Sequence, residues 1–395
     1  MTSRPTKEIR RVALVHDWLT GMRGGEKVLA CICALLPKAE LFTLIHRPGS
    51  CGPPIEDRAI RTSWLDDLPA VSRYYRQLLP LMPLAIERMD VSNCDLIVST
   101  SHCVAKGIGG RRAGQVHVCY CFTPMRYVWD TAGHYHRRQG IRRLALRALE
   151  PYLRAWDRRS AAGVDLFLAD SACVAGRIRR AYGRSAVVLY PPVDVDFFTP
   201  ADVPREDFYL IVSALTPYKR ADQAIEAFAR LARPLKIIGT GQEIQKLRRM
   251  APPNVRILGW CDDETVRDHY RRCRALVFPQ LEDFGIVPLE AMACGAPVIA
   301  YGAGGALETV LDGGNPAVTE PTGLLYRPQS SQALAEAVEQ FERIEGRFNP
   351  QRLRNWTEQF SKERFIEGFK QAVEPLLLRA GFRPPWQGGG HSTGS

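Results

Sequence analysis

No apolar run in this chain approaches the roughly 20 residues that a membrane-spanning helix needs. The N-terminus, MTSRPTKEIRR, enters a strand directly and lacks the apolar core of a secretory leader. Eleven cysteines are present but no Cys-x-x-Cys pair, so a zinc site is not expected. They are scattered through apolar contexts such as Cys31, Cys33 and Cys119, which suits a reducing cytosol. No Gly-x-Gly-x-x-Gly follows the first strand, which argues against a dinucleotide oxidoreductase. Nor is there a nucleic-acid-binding motif or a run of interleaved aromatics, so no nucleic-acid partner is expected.

What is present describes a globular α/β protein. At 395 residues the chain exceeds one ordinary domain and suits two. The net charge of +11 is uneven: residues 1–190 carry 29 Lys/Arg against 16 Asp/Glu, and residues 191–395 carry 24 against 26. The excess is densest between Arg137 and Arg159, where Leu144, Leu149, Leu153 and Trp156 recur among arginines at roughly helical spacing. Two readings of this amphipathic helix stand. It attaches to an anionic membrane surface, or it docks its leucines into its own domain while the arginines face water.

Apolar runs at 12–16, 41–44, 95–99, 116–120 and 166–169 alternate with helical stretches, the first helix running from Glu26 to about Leu36. The alternation restarts at 209–212, 235–238, 255–258, 275–278 and 297–300, with helices between and a further one at 334–344. Strands alternating with helices predict parallel sheets covered on both faces. The fold class is therefore α/β, with two Rossmann-like, doubly wound domains and a ligand crevice at the carboxyl ends of each set of strands. Pro191-Pro192 through Pro200 reads as the linker. The expected division is 1–192, 193–375 and a C-terminal end and tail over 376–395, with a last helix at 361–378 and a flexible tail from Gly388.

The densest chemistry lies between Pro279 and Glu308. A strand, a loop containing Gly285 and a helix beginning near Pro288 make an anion site, because free N–H groups and the helix dipole face the loop. The N–H groups of Ile286, Val287 and Leu289 are placed to hold a diphosphate, and Glu290 falls in the first turn. Glu282 and Glu290 would repel a phosphate but accept from sugar hydroxyls: one for a ribose, one for a transferred sugar. Taken singly, either glutamate is an ordinary loop or helix-start acid. In the loop Ser213–Arg220, also between a strand and a helix, Lys219 offers a point charge and Arg220 a fork suited to phosphate. Asp17 and His102 sit at strand ends in the first half, where crevice residues belong. His16 beside them reads as a packed histidine.

Glu282, Phe284, Gly285, Glu290 and the run Ala291-Met292-Ala293-Cys294-Gly295-Ala296-Pro297-Val298-Ile299 resemble the signature of the retaining glycosyltransferases of family 4, the glycosyl transferase group 1 proteins with the GT-B fold. The resemblance extends over nearly the whole chain. It implies two Rossmann-like domains flanking a deep cleft, the first binding the acceptor and the second the nucleotide sugar. It also implies that the last helix crosses back onto the first domain. Gly239 and Gly241 match a Gly-x-Gly near the nucleotide, and Gly24 and Gly25 match a Gly-Gly-x-Glu loop that approaches the donor phosphates or the acceptor. Lys219 matches a diphosphate-binding lysine. The partner arginine of the family is here Ala214, so Arg220 is the expected substitute. The segment Tyr120–Asp130, including Arg126, matches a Tyr-Cys-His-Thr-Pro-Met-Arg-Tyr pattern except that Phe122 replaces the histidine that reaches the transferred sugar. Phenylalanine offers no hydrogen bond. Compensation by His102 or Asp17, altered sugar recognition, or a slow or silent enzyme all follow as alternatives.

The resemblance implies a retaining hexosyltransferase that needs no metal and no cofactor beyond its nucleotide-sugar donor. Glu282, Lys219, Arg220 and His102 are its expected catalytic groups. GDP-mannose is the first donor expected and UDP-glucose the second. A lipid-linked oligosaccharide or polysaccharide acceptor follows, reached at the cytoplasmic face of the membrane. Two rivals remain: a silent nucleotide-sugar-binding member of a polysaccharide assembly complex, and a nucleotide-sugar epimerase.

Overall fold

The structure is a computed structural model that describes residues 6–129 and 141–387, with backbone only for 141–147. It divides into two compact units: residues 1–192 together with 363–395, and residues 193–362. The division at 192/193 falls where the paired prolines stand. Residues 363–375, assigned from sequence to the second domain, belong to the first unit. The last helix, Lys362–Arg379, buries Phe365, Phe369, Val373 and Leu377 in the same core cluster as Leu14, Val28 and Val118. That apolar face cannot be left in water, so it decides the membership.

The first unit contains strands β1 (Lys7–Glu8), β2 (Val12–His16), β3 (Glu40–Thr43), β4 (Ile60–Thr62), β5 (Leu96–Ser101), β6 (Val116–Cys121), β7 (Leu166–Ala169) and β8 (Val187–Val188). Strands β2 to β8 form one sheet in the order β4-β3-β2-β5-β6-β7-β8, every neighbouring pair parallel. The central strands are buried along their whole length, as continuous runs such as Leu-Ile-Val-Ser-Thr-Ser in β5 require when helices cover both faces. Polar residues on them are tied off: Ser99 Oγ lies 2.8 Å from His117 Nε2 inside the sheet.

The second unit carries β9 (Tyr209–Val212), β10 (Leu235–Ile238), β11 (Val255–Gly259), β12 (Ala275–Phe278), β13 (Val298–Tyr301) and β14 (Gly323–Tyr326), all parallel, in the order β11-β10-β9-β12-β13-β14. The order reverses between β9 and β12. The carboxyl ends of the strands at such a reversal are the usual ligand position of these sheets. Helix starts are signalled locally, as where Ser330 Oγ accepts from Ala333 N at 3.1 Å. The final strand, β15 (Phe382–Arg383), pairs in parallel with β1.

The basic helix spans Ile141–Ala162; its expected start at Arg137 lies outside the described residues. Of its apolar positions, Leu153 and Trp156 are buried in the first unit and Leu149 packs against the same cluster. Trp156 Nε1 donates to Glu87 at 2.8 Å. Asp157 is fully buried against the Lys106 ammonium and accepts from Trp129 Nε1 and Tyr182 Oη, each at 2.7 Å. Arg154 and Arg158 flank the Trp129 ring at 5.1 and 4.9 Å. From Leu149 onward the apolar face is thus used inside its own unit and is not available for insertion into a membrane. Among the described residues no helix is long and apolar enough to cross one.

Candidate functional site

In the second unit the loops after β9 and β12 meet. Pro217–Lys219 forms a single tight turn, and Arg220 then takes a left-handed conformation (φ 57°) to cap the helix Ala221–Leu231. A non-glycine residue there costs about 1 kcal/mol, and the bend sets two successive cations on one turn. The Lys219 ammonium is ion-paired with the Glu282 carboxylate from the opposite loop, and both side chains keep some exposure. The Arg220 guanidinium lies 3.5 Å from Asp222 Oδ1 through a buried Nε that makes no hydrogen bond. Lys219, Arg220 and Glu282 therefore share one end of the sheet. Ala214, on the same loop, contributes no charge.

Two glycine turns hold these loops. A Cβ on Gly239 would lie 1.8 Å from the Ser213 carbonyl oxygen, and one on Gly241 would lie 2.3 Å from that of Leu215. The β10 loop thus packs directly on the β9 loop, with Leu215 N donating to Thr240 O at 2.8 Å. On the other side Gly305 N donates to Glu282 O at 2.9 Å, and a Cβ on Gly304 would stand 2.2 Å from that same oxygen. Close backbone approach is sufficient reason for glycine at these positions.

The helix after Glu282 corrects two expectations. It spans Ile286–Ala293 with Gly285 (φ 92°) as its cap, so Pro288 is the third helical residue and Glu290 lies in the second turn. Gly285 bends the chain into the helix early; proline is tolerated at the third position because an N–H there would have no intrahelical partner. Helix counting leaves the N–H groups of Gly285, Ile286 and Val287 without intrahelical acceptors, while Leu289 falls where its N–H bonds back to the cap carbonyl. The Leu289 side chain is fully buried, so this residue serves the core instead of a diphosphate. Phe284 is likewise a packing residue, buried with its ring 5.8 Å from that of Phe360. Glu290 is buried and accepts from Tyr270 Oη at 3.4 Å. Burial, then the Glu290 charge, pushes the Tyr270 hydroxyl well up, so it remains a donor.

The first unit brings together a second group, at the carboxyl ends of β2, β5 and β6. His16 Nδ1 lies 2.7 Å from Thr100 Oγ1, and its buried Nε2 has no hydrogen-bond partner and sits 3.9 Å from Glu26 Oε1. Gly24 and Gly25 open the helix Gly24–Leu35. A Cβ on Gly25 would touch the Phe122 ring at 3.4 Å. Phe122 packs near Tyr120 and His102, at centroid distances of 5.3 and 6.4 Å. Arg126 starts the short helix Arg126–Trp129 and is half-buried. Asp17, expected to contact a sugar, is fully buried and accepts from the backbone N–H groups of residues 102 to 105. Its oxygens are spent inside the protein. Strand-end position suggested a crevice role for Asp17; nothing in the sequence around it announces four consecutive donors 85 residues away.

Residues 194–362, nearly the whole second unit, match the family described as glycosyl transferases group 1. A GDP-mannose-dependent alpha-(1-6)-phosphatidylinositol monomannoside mannosyltransferase of Mycolicibacterium smegmatis is 31% identical over 47% of this chain and 59% of its own. O-antigen chain mannosyltransferase C of Escherichia coli is 28% identical over 44% and 47%. The chain spans about half the length of the curated relatives it matches. Among solved structures, Anabaena Alr3699/HepE in complex with UDP aligns at a TM-score of 0.68 and 17% identity, covering 92% of this chain and 100% of that one. Sucrose-phosphate synthase from Thermosynechococcus elongatus aligns at 0.71 and 17%, covering 94% and 100%. Through its second unit the chain is similar to glycosyl transferases group 1 and, among its relatives, to the bacterial mannosyltransferases, and it has the GT-B fold.

Proposed function

We propose that the protein is a retaining hexosyltransferase that moves mannose, in first place, from a nucleoside diphosphate sugar to a lipid-linked or polysaccharide acceptor in cell-surface glycan synthesis. The observation that carries this reading is the pairing of Lys219 with Glu282 at the strand-order reversal, beside the free N–H groups of the Gly285 cap. A diphosphate at that cap draws Lys219 and Arg220 onto its oxygens and frees Glu282 to accept from a hydroxyl of the transferred sugar. Glu290, one helical turn further on, takes the ribose. As the sugar–phosphate bond lengthens, negative charge grows on the leaving diphosphate, and the two cations and the helix end stabilise it more than the ground state. The leaving phosphate oxygen takes the acceptor's proton, so the reaction needs no protein nucleophile, and the same cations take the place of a metal. The acceptor binds the basic first unit, which draws the protein to the cytoplasmic face of an anionic membrane.

The relatives that are mannosyltransferases support GDP-mannose as donor, and Phe122 and Ala214 favour the second reading, a silent nucleotide-sugar binder. One experiment separates them. Purified protein is given GDP-, UDP- and ADP-sugars with and without membrane extract, with Glu290→Ala alongside. Release of one nucleotide, lost in the variant, supports the enzyme and names its donor. Tight binding of a donor without release sinks it, and Phe122→His then tests whether turnover returns.

A further inference from the structure

One buried carboxylate in the first unit orders a turn and, through it, an imidazole. Asp17, just past the carboxyl end of β2, accepts from the N–H groups of His102, Cys103, Val104 and Ala105 at 2.7, 3.0, 2.6 and 2.7 Å. Its Oδ2 also faces His102 Nδ1 at 3.0 Å. Burial works against the charge, but His102 and the backbone donors outweigh it and hold the Asp17 carboxyl well below the usual range. An ionised carboxylate can only accept, so the Nδ1 opposite it carries the ring proton, and in the neutral ring Nε2 carries the lone pair. The ring is fixed edge-on to Trp18, with centroids 4.6 Å apart and planes at 90°. The His102 side chain remains 29% exposed, and Nε2 makes no hydrogen bond among the described residues.

We infer that His102 Nε2 accepts from a hydroxyl of the sugar bound by the first unit, with Asp17 as the positioning residue that sets its tautomer. This rests on the glycosyltransferase reading above and names a contact within it. The ring stands at the carboxyl edge of the sheet, where ligands of such folds bind. An apolar ring, Phe122, lies 6.4 Å away and supplies no polar contact of its own. Asp17 itself cannot reach a substrate, because five donors already occupy its two oxygens. His102 is thus an ordered and exposed acceptor on a wall of aromatic rings, a combination suited to the C–H faces and hydroxyls of a hexose.

The test uses the full chain and separates the sugar contact from a structural one. His102→Asn keeps an amide N–H directed at Asp17 but ends short of the Nε2 position; His102→Gln reaches that position but loses the Nδ1 donor. Loss of one such hydrogen bond in a desolvated site is expected to lower kcat/KM about tenfold in His102→Asn, with His102→Gln retaining more activity. The affinity of GDP or UDP alone for the second unit stays unchanged in both. Activity retained by His102→Asn and lost by His102→Gln overturns the contact and leaves only a structural role. Nitrogen-15 NMR of the ring gives an independent readout: protonation at Nδ1 is expected, and a neutral ring protonated at Nε2 overturns the proposal. Wild-type protein that transfers no sugar from any donor overturns the glycosyltransferase reading together with this contact. Wild-type transfer with an unaffected His102→Asn overturns this contact alone.

Discussion

Lys219 and Glu282 come from loops 63 residues apart and close on one another across neighbouring strands β9 and β12. The pair is partly exposed, so it contributes only about 0–1 kcal/mol to stability. Its placement at the order reversal of the sheet is what makes it informative: under the proposed function, a diphosphate entering there would compete with Glu282 for the lysine.

Lys219→Ala is accordingly expected to leave the unfolding midpoint nearly unchanged while kcat/KM for the donor falls about a hundredfold, the scale of removing one preorganised charge partner. Calorimetric titration with the nucleoside diphosphate and steady-state kinetics check both halves. Unchanged affinity would place the diphosphate elsewhere.

Glu290 and Tyr270 form a buried pair beneath the same helix. Tyr270→Phe removes a long hydrogen bond at 3.4 Å and is expected to cost about 1 kcal/mol or less in stability. If Glu290 binds the ribose, donor affinity falls several-fold in Tyr270→Phe and far more in Glu290→Ala, as read by isothermal titration.

Asp17 makes stability depend on pH. Its folded-state carboxyl titrates well below the unfolded value, so its contribution is complete above about pH 4 and is lost as pH falls below that. Asp17→Asn leaves backbone donors facing an amide and is expected to destabilise by about 3 kcal/mol or more at neutral pH. Urea unfolding between pH 3 and 7 checks this, and the variant should show a flatter acid limb than the parent.

Lys106 and Asp157 are both almost fully buried, and each single removal strands a charge. Lys106→Met and Asp157→Asn are each expected to cost about 3–5 kcal/mol, and the double variant less than their sum. A double-mutant cycle in chemical denaturation measures the coupling directly.

Gly239→Ala is expected to destabilise by about 2 kcal/mol or more. The new methyl group would meet the Ser213 carbonyl, and the residue sits at φ 140°. Because that contact holds the Lys219 loop, nucleotide affinity should fall with it, as thermal melts with and without nucleotide would show.

Much of the fold was legible because its strands are short, apolar and doubly covered: 166–169, 209–212, 235–238 and 275–278 are strands with the expected bounds. The helix at Glu290 was misplaced by two residues because Pro288 is a strong local signal for a helix start. The left-handed Gly285 made the actual start, and only φ reveals that. The arginine-rich helix presented the same difficulty. Its pattern is amphipathic in either of two environments, and only the tertiary structure shows that its second half buries Leu153 and Trp156 in the first unit.

Local pattern carries the alternation of strands and helices, the parallel sheets it demands, and the two glutamates and two cations spaced around glycine turns. Periodicity and turn chemistry are local and leave a readable trace. Tertiary structure alone decided that Lys219 meets Glu282, that Glu290 rests on Tyr270, that Asp17 is consumed by the backbone at residues 102–105, and that the last helix joins the first unit. Each of these joins segments tens to hundreds of residues apart. Their pairing follows from which apolar faces can be buried together, a property of the packed whole that no window of sequence contains.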